Sequence, residues 1–277
     1  MLVDAHTHIN FSPLFEDWRL HLQAFQDAGG KILINAGAHQ AYNENGVQIA
    51  KEAKTFFPDL IVKATVGIHP DDIDIFLPGQ MESPEGGRGL FLATIQQLRT
   101  LAISNPNEVV AIGECGIDLH GDDAKPLKDQ QEMFRLHCEL ARELGLPIVI
   151  HSRSAFSETL EILKDFTDLK IYFHCFGYGP EEIAILEERF PELRIGFTNI
   201  ITYKNAQSSR DALLSLKKAK ILTETDAPWL PPQAFRGQMN YPHYVSYVVE
   251  KIAELLEVST GEVKDLVEQN VRDLFDL

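Results

Sequence analysis

The chain has 277 residues, 44% of them apolar, and a formal net charge of −16 from 25 basic and 41 acidic side chains. That composition excludes a disordered chain, and the length suits one α/β barrel of about 250 residues, so a single unit over 1–277 is expected. The acidic balance, with no basic run, excludes a broad nucleic-acid surface and leaves a local pocket for any polyanionic substrate.

The first residues carry no basic segment ahead of an apolar stretch, so a secretory signal is not expected. No uncharged apolar run approaches the ~18 to 20 residues of a membrane helix. The three cysteines, Cys115, Cys138 and Cys175, are too few and odd in number for a disulfide framework. A soluble cytoplasmic protein with reduced thiols, no membrane contact and no obligate protein partner is the expectation.

Strand-length apolar runs recur near 1–6, 31–37, 62–67, 109–113, 147–151, 170–175, 193–197 and 219–224. Most are near-continuous rather than alternating, as strands buried on both faces require. Helical spacing lies between them, at 93–103, 130–144, 212–216 and 243–256, and Ser259-Thr260-Gly261-Glu262 opens a last helix. Eight strand–helix alternations predict an α/β chain folded as a single TIM-type (β/α)8 barrel. Two segments, 77–89 and 229–242, are rich in Gly and Pro and read as loops on the mouth where barrel enzymes place substrate contacts.

Metal-binding side chains follow five of the runs. The first ends in Asp4-Ala5-His6-Thr7-His8, where strand spacing points both imidazoles to one side. Asp4 either orients an imidazole or faces solvent. Glu114 follows the fourth run between glycines, as a bridging carboxylate or one held by turn hydrogen bonds. Asp118 in the same stretch reads as a loop residue. His151 and His174 end the fifth and sixth runs, and Arg153 offers a planar fork for a phosphate, with an ordinary salt bridge as the alternative. Asp226 follows the eighth run; Glu224 has its parity and either supports it or fills a barrel layer. His69, after the third run, is expected at the substrate, directly or through a neighbour. Imidazole and carboxylate together suit a borderline divalent cation. A thiolate nucleophile at Cys115 or Cys175 is the weaker alternative, because no partnering base is evident. Phosphate-cradling glycine loops and a Gly-x-Ser-x-Gly elbow are missing from the sequence.

Taken together, Asp4-Ala5-His6-Thr7-His8, Gly67-Ile68-His69-Pro70, Gly113-Glu114-Cys115-Gly116-Ile117-Asp118, His151-Ser152-Arg153, His174-Cys175-Phe176 and Glu224-Thr225-Asp226-Ala227-Pro228 resemble the TatD family of metal-dependent deoxyribonucleases, over nearly the whole chain and in that family's order. The resemblance implies a metallohydrolase barrel holding two divalent ions (Zn, Mg, Mn or Ni). One would take His6, His8 and Asp226, the other His151 and His174, with Glu114 bridging. It further implies DNA or another phosphodiester as substrate; from the chemistry of the residues, Asp226 and Glu114 are expected as catalytic groups and His69 and Arg153 at the phosphate. The chain departs from the family where an Arg-Asn-Glu-Pro motif is usual: it reads Met239-Asn240-Tyr241-Pro242, with Arg236 as the nearest arginine. Two rival readings keep the barrel: an amidohydrolase-like enzyme acting on a small ester, lactone or amide, and a metal-stabilised binding scaffold.

Overall fold

A computed structural model describes residues 1–73 and 84–277, with 84–87 by backbone alone. Eight parallel strands lie in chain order, each bonded to the next: β1 (Leu2–Thr7), β2 (Gly30–Asn35), β3 (Ile61–Val66), β4 (Val109–Asp118), β5 (Ile148–Arg153), β6 (Ile171–Phe173), β7 (Leu193–Phe197) and β8 (Ile221–Thr223). The helices among the described residues are α1 (Trp18–Asp27), α2 (Gln40–Phe56), α3 (Pro84–Ser104), α4 (Leu127–Leu144), α5 (Phe156–Leu163), α6 (Pro180–Arg189), α7 (Gln207–Ser215), α8 (Val245–Leu256) and α9 (Thr260–Phe275). The result is a nearly closed (β/α)8 barrel.

The seam between β8 and β1 closes through individual bonds rather than a ladder. Thr223 Oγ1 donates to the Val3 carbonyl at 2.8 Å. Asp226 N donates to His6 O at 2.9 Å, and His8 N to Ala227 O at 2.8 Å. The segment after β8 is thereby fixed against the end of β1, which sets Asp226 beside His6 and His8.

Apolar strands and one stripe of each helix make the core. In α4, Met133, Phe134, Leu136, Leu140 and Ala141 are buried at three- and four-residue intervals, and Gly145 ends the helix at φ 65°. Burying each large side chain contributes roughly 1.5–3 kcal/mol, which offsets the entropy of ordering the turn beneath it. The helix ends as the glycine predicts, and α9 opens with the expected capping box: Glu262 N donates to Ser259 Oγ at 3.2 Å.

One expected loop divides. Residues 77–83 lie outside the described residues, but 84–89 form the start of α3. Pro84 stands at the first helical position, where its fixed φ helps and its missing N–H costs nothing. The glycines after it hid the helix from a reading based on apolar spacing.

His137 on α4 is fully buried and reaches the loop after β3. Its Nε2 accepts from Ile68 N at 3.1 Å, so Nδ1 carries the proton and donates to the Met133 carbonyl at 2.7 Å. Burial lowers its pKa from 6.5 to about 4. Between those values the unfolded chain takes up a proton that the folded chain refuses. The stability this contributes is complete above pH 6.5 and falls as pH drops toward 4, by up to about 3 kcal/mol. His137→Gln is expected to remove about one proton from the pH dependence of urea unfolding in that window. An unchanged slope would show that His137 titrates alike in both states.

Candidate active site

Carboxylate and imidazole side chains from β1, β4 and β5 and from the segments after β1, β3, β6 and β8 meet at the mouth of the barrel. Glu114 sits at their centre, 3% exposed. Its Oε2 lies 3.3 Å from His6 Nε2 and 3.5 Å from His8 Nε2, and those nitrogens are 3.1 Å apart. Asp226 Oδ1 completes this group at 3.7 and 3.3 Å from the same two nitrogens. The other oxygen, Oε1, lies 2.6 Å from His174 Nε2 and 2.9 Å from His151 Nδ1. One carboxylate thus faces two donor sets, one with each oxygen.

Local backbone explains why Glu114 can stand there. β4 is irregular against β5 between Ile112 and Cys115, where the ladder slips. Gly116 has φ 145°, and a Cβ on it would lie 1.9 Å from the His151 carbonyl. Gly113 has φ 133° and would press a Cβ against Val149 O at 2.5 Å. Only glycine lets β4 approach β5 closely enough to bring Glu114 to His151.

The electrostatics favour a cation. Burial would raise the Glu114 pKa, but His174 and His69 outweigh it and hold the carboxyl well below its usual range. Burial likewise works to raise Asp226, and the bond to His8 and the charge of His174 overcome it, so it too stays ionised. Burial works to lower His151, yet Asp118 and Glu114 push it to about 9. Nitrogen lone pairs and ionised oxygens converging within about 3–4 Å, buried from water, are the donor chemistry a divalent cation satisfies.

Asp118 corrects the sequence reading. It is the last residue of β4, not a solvated loop residue, and it is 4% exposed. Its Oδ2 accepts from His151 Nε2 at 2.8 Å, which turns Nδ1 toward Glu114 and His174. Gln130 of α4 holds that strand end in place: its Oε1 accepts from Asp118 N at 2.7 Å and its Nε2 donates to Asp118 O at 2.9 Å. Asp118→Asn is expected to weaken metal affinity by about 10–100-fold while leaving the fold intact. Metal-binding titration by calorimetry checks this; an unchanged affinity would remove the orienting role.

His69 stands at the same centre, its Nε2 3.3 Å from His151 Nδ1 and 3.5 Å from Glu114 Oε1. Its Nδ1 accepts from Asp71 N at 3.1 Å. That bond places the proton of the neutral ring on Nε2, which makes Nε2 a donor aimed inward rather than a lone pair for a metal. Burial and the neighbouring His151 lower its pKa to about 3, so the ring is neutral.

Asp4 and Glu224 do support work. Asp4 is fully buried rather than solvated, and it accepts from Thr225 N at 2.9 Å and Thr225 Oγ1 at 2.6 Å instead of from an imidazole. Glu224 accepts from the Tyr172 hydroxyl and from Cys175 N, which fixes the backbone after His174. The thiols are poor nucleophiles: burial raises Cys115 and Cys175 well above the usual range.

These groups open into a cavity of about 860 Å3. Among the described residues its wall carries Asp71, Asp72, Glu114, Asp118 and Asp226 against one guanidinium, that of Arg153. Arg153 is 58% exposed and lies 4.0 Å from Asp118 Oδ2, a contact too long and wet to hold it in place. An anion entering this cavity meets mostly negative charge unless cations sit at the donor sets.

The TatD related DNase family profile matches residues 3–276. The chain belongs to that family. A metal-dependent hydrolase of Mycoplasma genitalium is 31% identical to it over 277 residues, 98% of each chain. The crystal structure of the TatD homologue YjjV from Escherichia coli superposes with a TM-score of 0.83 at 27% identity, covering 100% of this chain and 98% of that one. A human 3'-5' RNA nuclease, TATDN2, is 34% identical over 181 residues, 64% of this chain and 24% of the human one. This TatD-family chain is a metal-dependent hydrolase.

Where the family motif is altered, Asn240 remains a buried strut. Its Nδ2 donates to the carbonyls of Thr225 at 2.8 Å, Trp229 at 2.6 Å and Leu230 at 3.1 Å. Arg236 does not replace the missing arginine. Its guanidinium stacks 4.7 Å over the Tyr203 ring and takes no part in lining the cavity.

Proposed function

We propose that the chain hydrolyses DNA phosphodiester bonds at a centre holding two divalent ions. The observation that carries this is the Glu114 carboxylate, with Oε2 toward His6 and His8 and Oε1 toward His151 and His174. On this reading His6, His8 and Asp226 hold one ion, His151 and His174 the other, and Glu114 is shared. Bound ions supply a water of near-neutral pKa and polarise the phosphoryl oxygen.

The chain's own groups complete the chemistry. Asp226, ionised and at the edge of the cavity, accepts the proton of the attacking water. His69 donates from Nε2 to a phosphoryl oxygen as charge builds there. Arg153, exposed and loosely held, swings onto a neighbouring phosphate oxygen. The human relative named as a nuclease supports a nucleic-acid substrate. No lysine lines the cavity among the described residues, which gives the ester and amide reading no bridging group of that kind.

A panel of short oligodeoxynucleotides beside small aryl esters, lactones and amides tests the substrate class. The oligonucleotides are expected to show the highest kcat/KM. A preference for an ester or amide would move the activity to the amidohydrolase-like alternative.

A further inference from the structure

Three aromatic rings from distant parts of the chain form one wall of the cavity: Phe11 after β1, Tyr42 in the first turn of α2, and Trp229 after β8. Phe11 meets Tyr42 at 4.8 Å between centroids and Trp229 at 5.1 Å, and Trp229 meets His8 at 5.2 Å. The wall therefore starts one ring away from a donor nitrogen of the His6–His8 set. Trp229 is 44% exposed. Phe56, the other exposed aromatic among the described residues, is covered by the Arg19 guanidinium 4.5 Å over its ring, whereas Trp229 opens into the cavity. Its backbone is held by a bond from Trp229 N to Asp226 O at 2.9 Å and by Asn240, so the ring is presented by a fixed turn. Trp229 packs against Phe11 and His8 and leaves the rest of the indole open to the cavity.

We infer that Phe11, Tyr42 and Trp229 are a stacking shelf for a nucleobase of the bound substrate, an inference that rests on the phosphodiester reading of the same site. Away from the donor sets charge supplies little grip: the chain carries −16 and the cavity, among the described residues, one arginine. The donor sets, Arg153 and His69 address phosphate, so stacking is the remaining source of affinity for the base, and every base has a face that can use it. With the scissile phosphate at the donor sets, the base on the His8 side reaches Trp229 while Arg153 stands on the opposite wall. The shelf takes a base that has left its own stack.

The test uses metal-loaded protein carrying Trp18→Phe, which leaves Trp229 as the sole tryptophan. It is titrated with a phosphorothioate-linked thymidine tetramer, which turns over slowly, and with the same backbone lacking bases. The tetramer is expected to quench the Trp229 emission and to bind about tenfold tighter than the abasic chain, as one stacked base implies. In a Trp18-containing protein, Trp229→Ala should bring that ratio close to one with metal content unchanged, and Trp229→Phe should restore most of it. Equal quenching or equal affinity for the two chains overturns the shelf, as does quenching by an aromatic ester alone. Base-dependent quenching without cleavage of an ordinary oligonucleotide keeps the shelf and removes the nuclease reading. Cleavage indifferent to the base keeps the nuclease and removes the shelf.

Discussion

Glu114→Gln is expected to leave a folded barrel that binds little metal at either donor set and turns over at least about 1,000-fold more slowly. The substitution keeps the shape of a side chain that is 3% exposed, so packing around it is preserved. It removes the negative charge that both sets share, at 3.3–3.5 Å on one side and 2.6–2.9 Å on the other. Elemental analysis of dialysed protein, read beside its thermal unfolding curve, checks this. Wild-type metal content in a folded variant would mean that Glu114 is not the shared ligand.

Asp226→Asn should cost a similar factor in turnover, about 1,000-fold, with a different metal count. Asp226 Oδ1 lies nearest His6 and His8, at 3.7 and 3.3 Å, with His174 also within 4.8 Å of the carboxylate. The set formed by Glu114 Oε1, His151 and His174 has its closest contacts, 2.6 and 2.9 Å, without it. The variant is therefore expected to lose the ion at the His6–His8 set and keep the other. Asp226 sits at φ 56°, a left-handed conformation that asparagine also tolerates, so the turn into Pro228 should survive. Retention of both ions together with full activity would remove Asp226 as ligand and base alike. The two variants, compared by stoichiometry, separate a shared carboxylate from one that serves a single set.

The barrel was legible because its strands are buried on both faces and read as unbroken apolar runs, such as Ile148-Val149-Ile150 before His151. An imidazole placed directly after such a run stands out against it, which is why His6, His8, His151 and His174 were readable. Asp118 and Gln130 were not: a lone polar residue past an apolar run, or one glutamine in the polar first turn of a helix, looks the same whether it is solvated or clamped. Their roles depend on β4 running on to 118 in register with β5, Asp118 opposite Arg153, through two glycines that break the apolar pattern. The tautomer of His69 rests on a backbone N–H two residues away, and no composition signals it. Phe11, Tyr42 and Trp229 share no spacing; pairing of β1 with β2 and closure of the β1–β8 seam together bring them onto one wall. A short helical start at Pro84 was hidden for the opposite reason, since glycines there read as loop.

The most direct measurement is degradation of a short, end-labelled single-stranded DNA by metal-free protein, with zinc, magnesium, manganese and nickel each added back, beside Asp226→Asn. The account predicts shortening of the label with at least one ion, none without metal, and loss of the activity in the variant. Full binding of two ions with no cleavage under any of them, alongside hydrolysis of a small ester or amide, would contradict it.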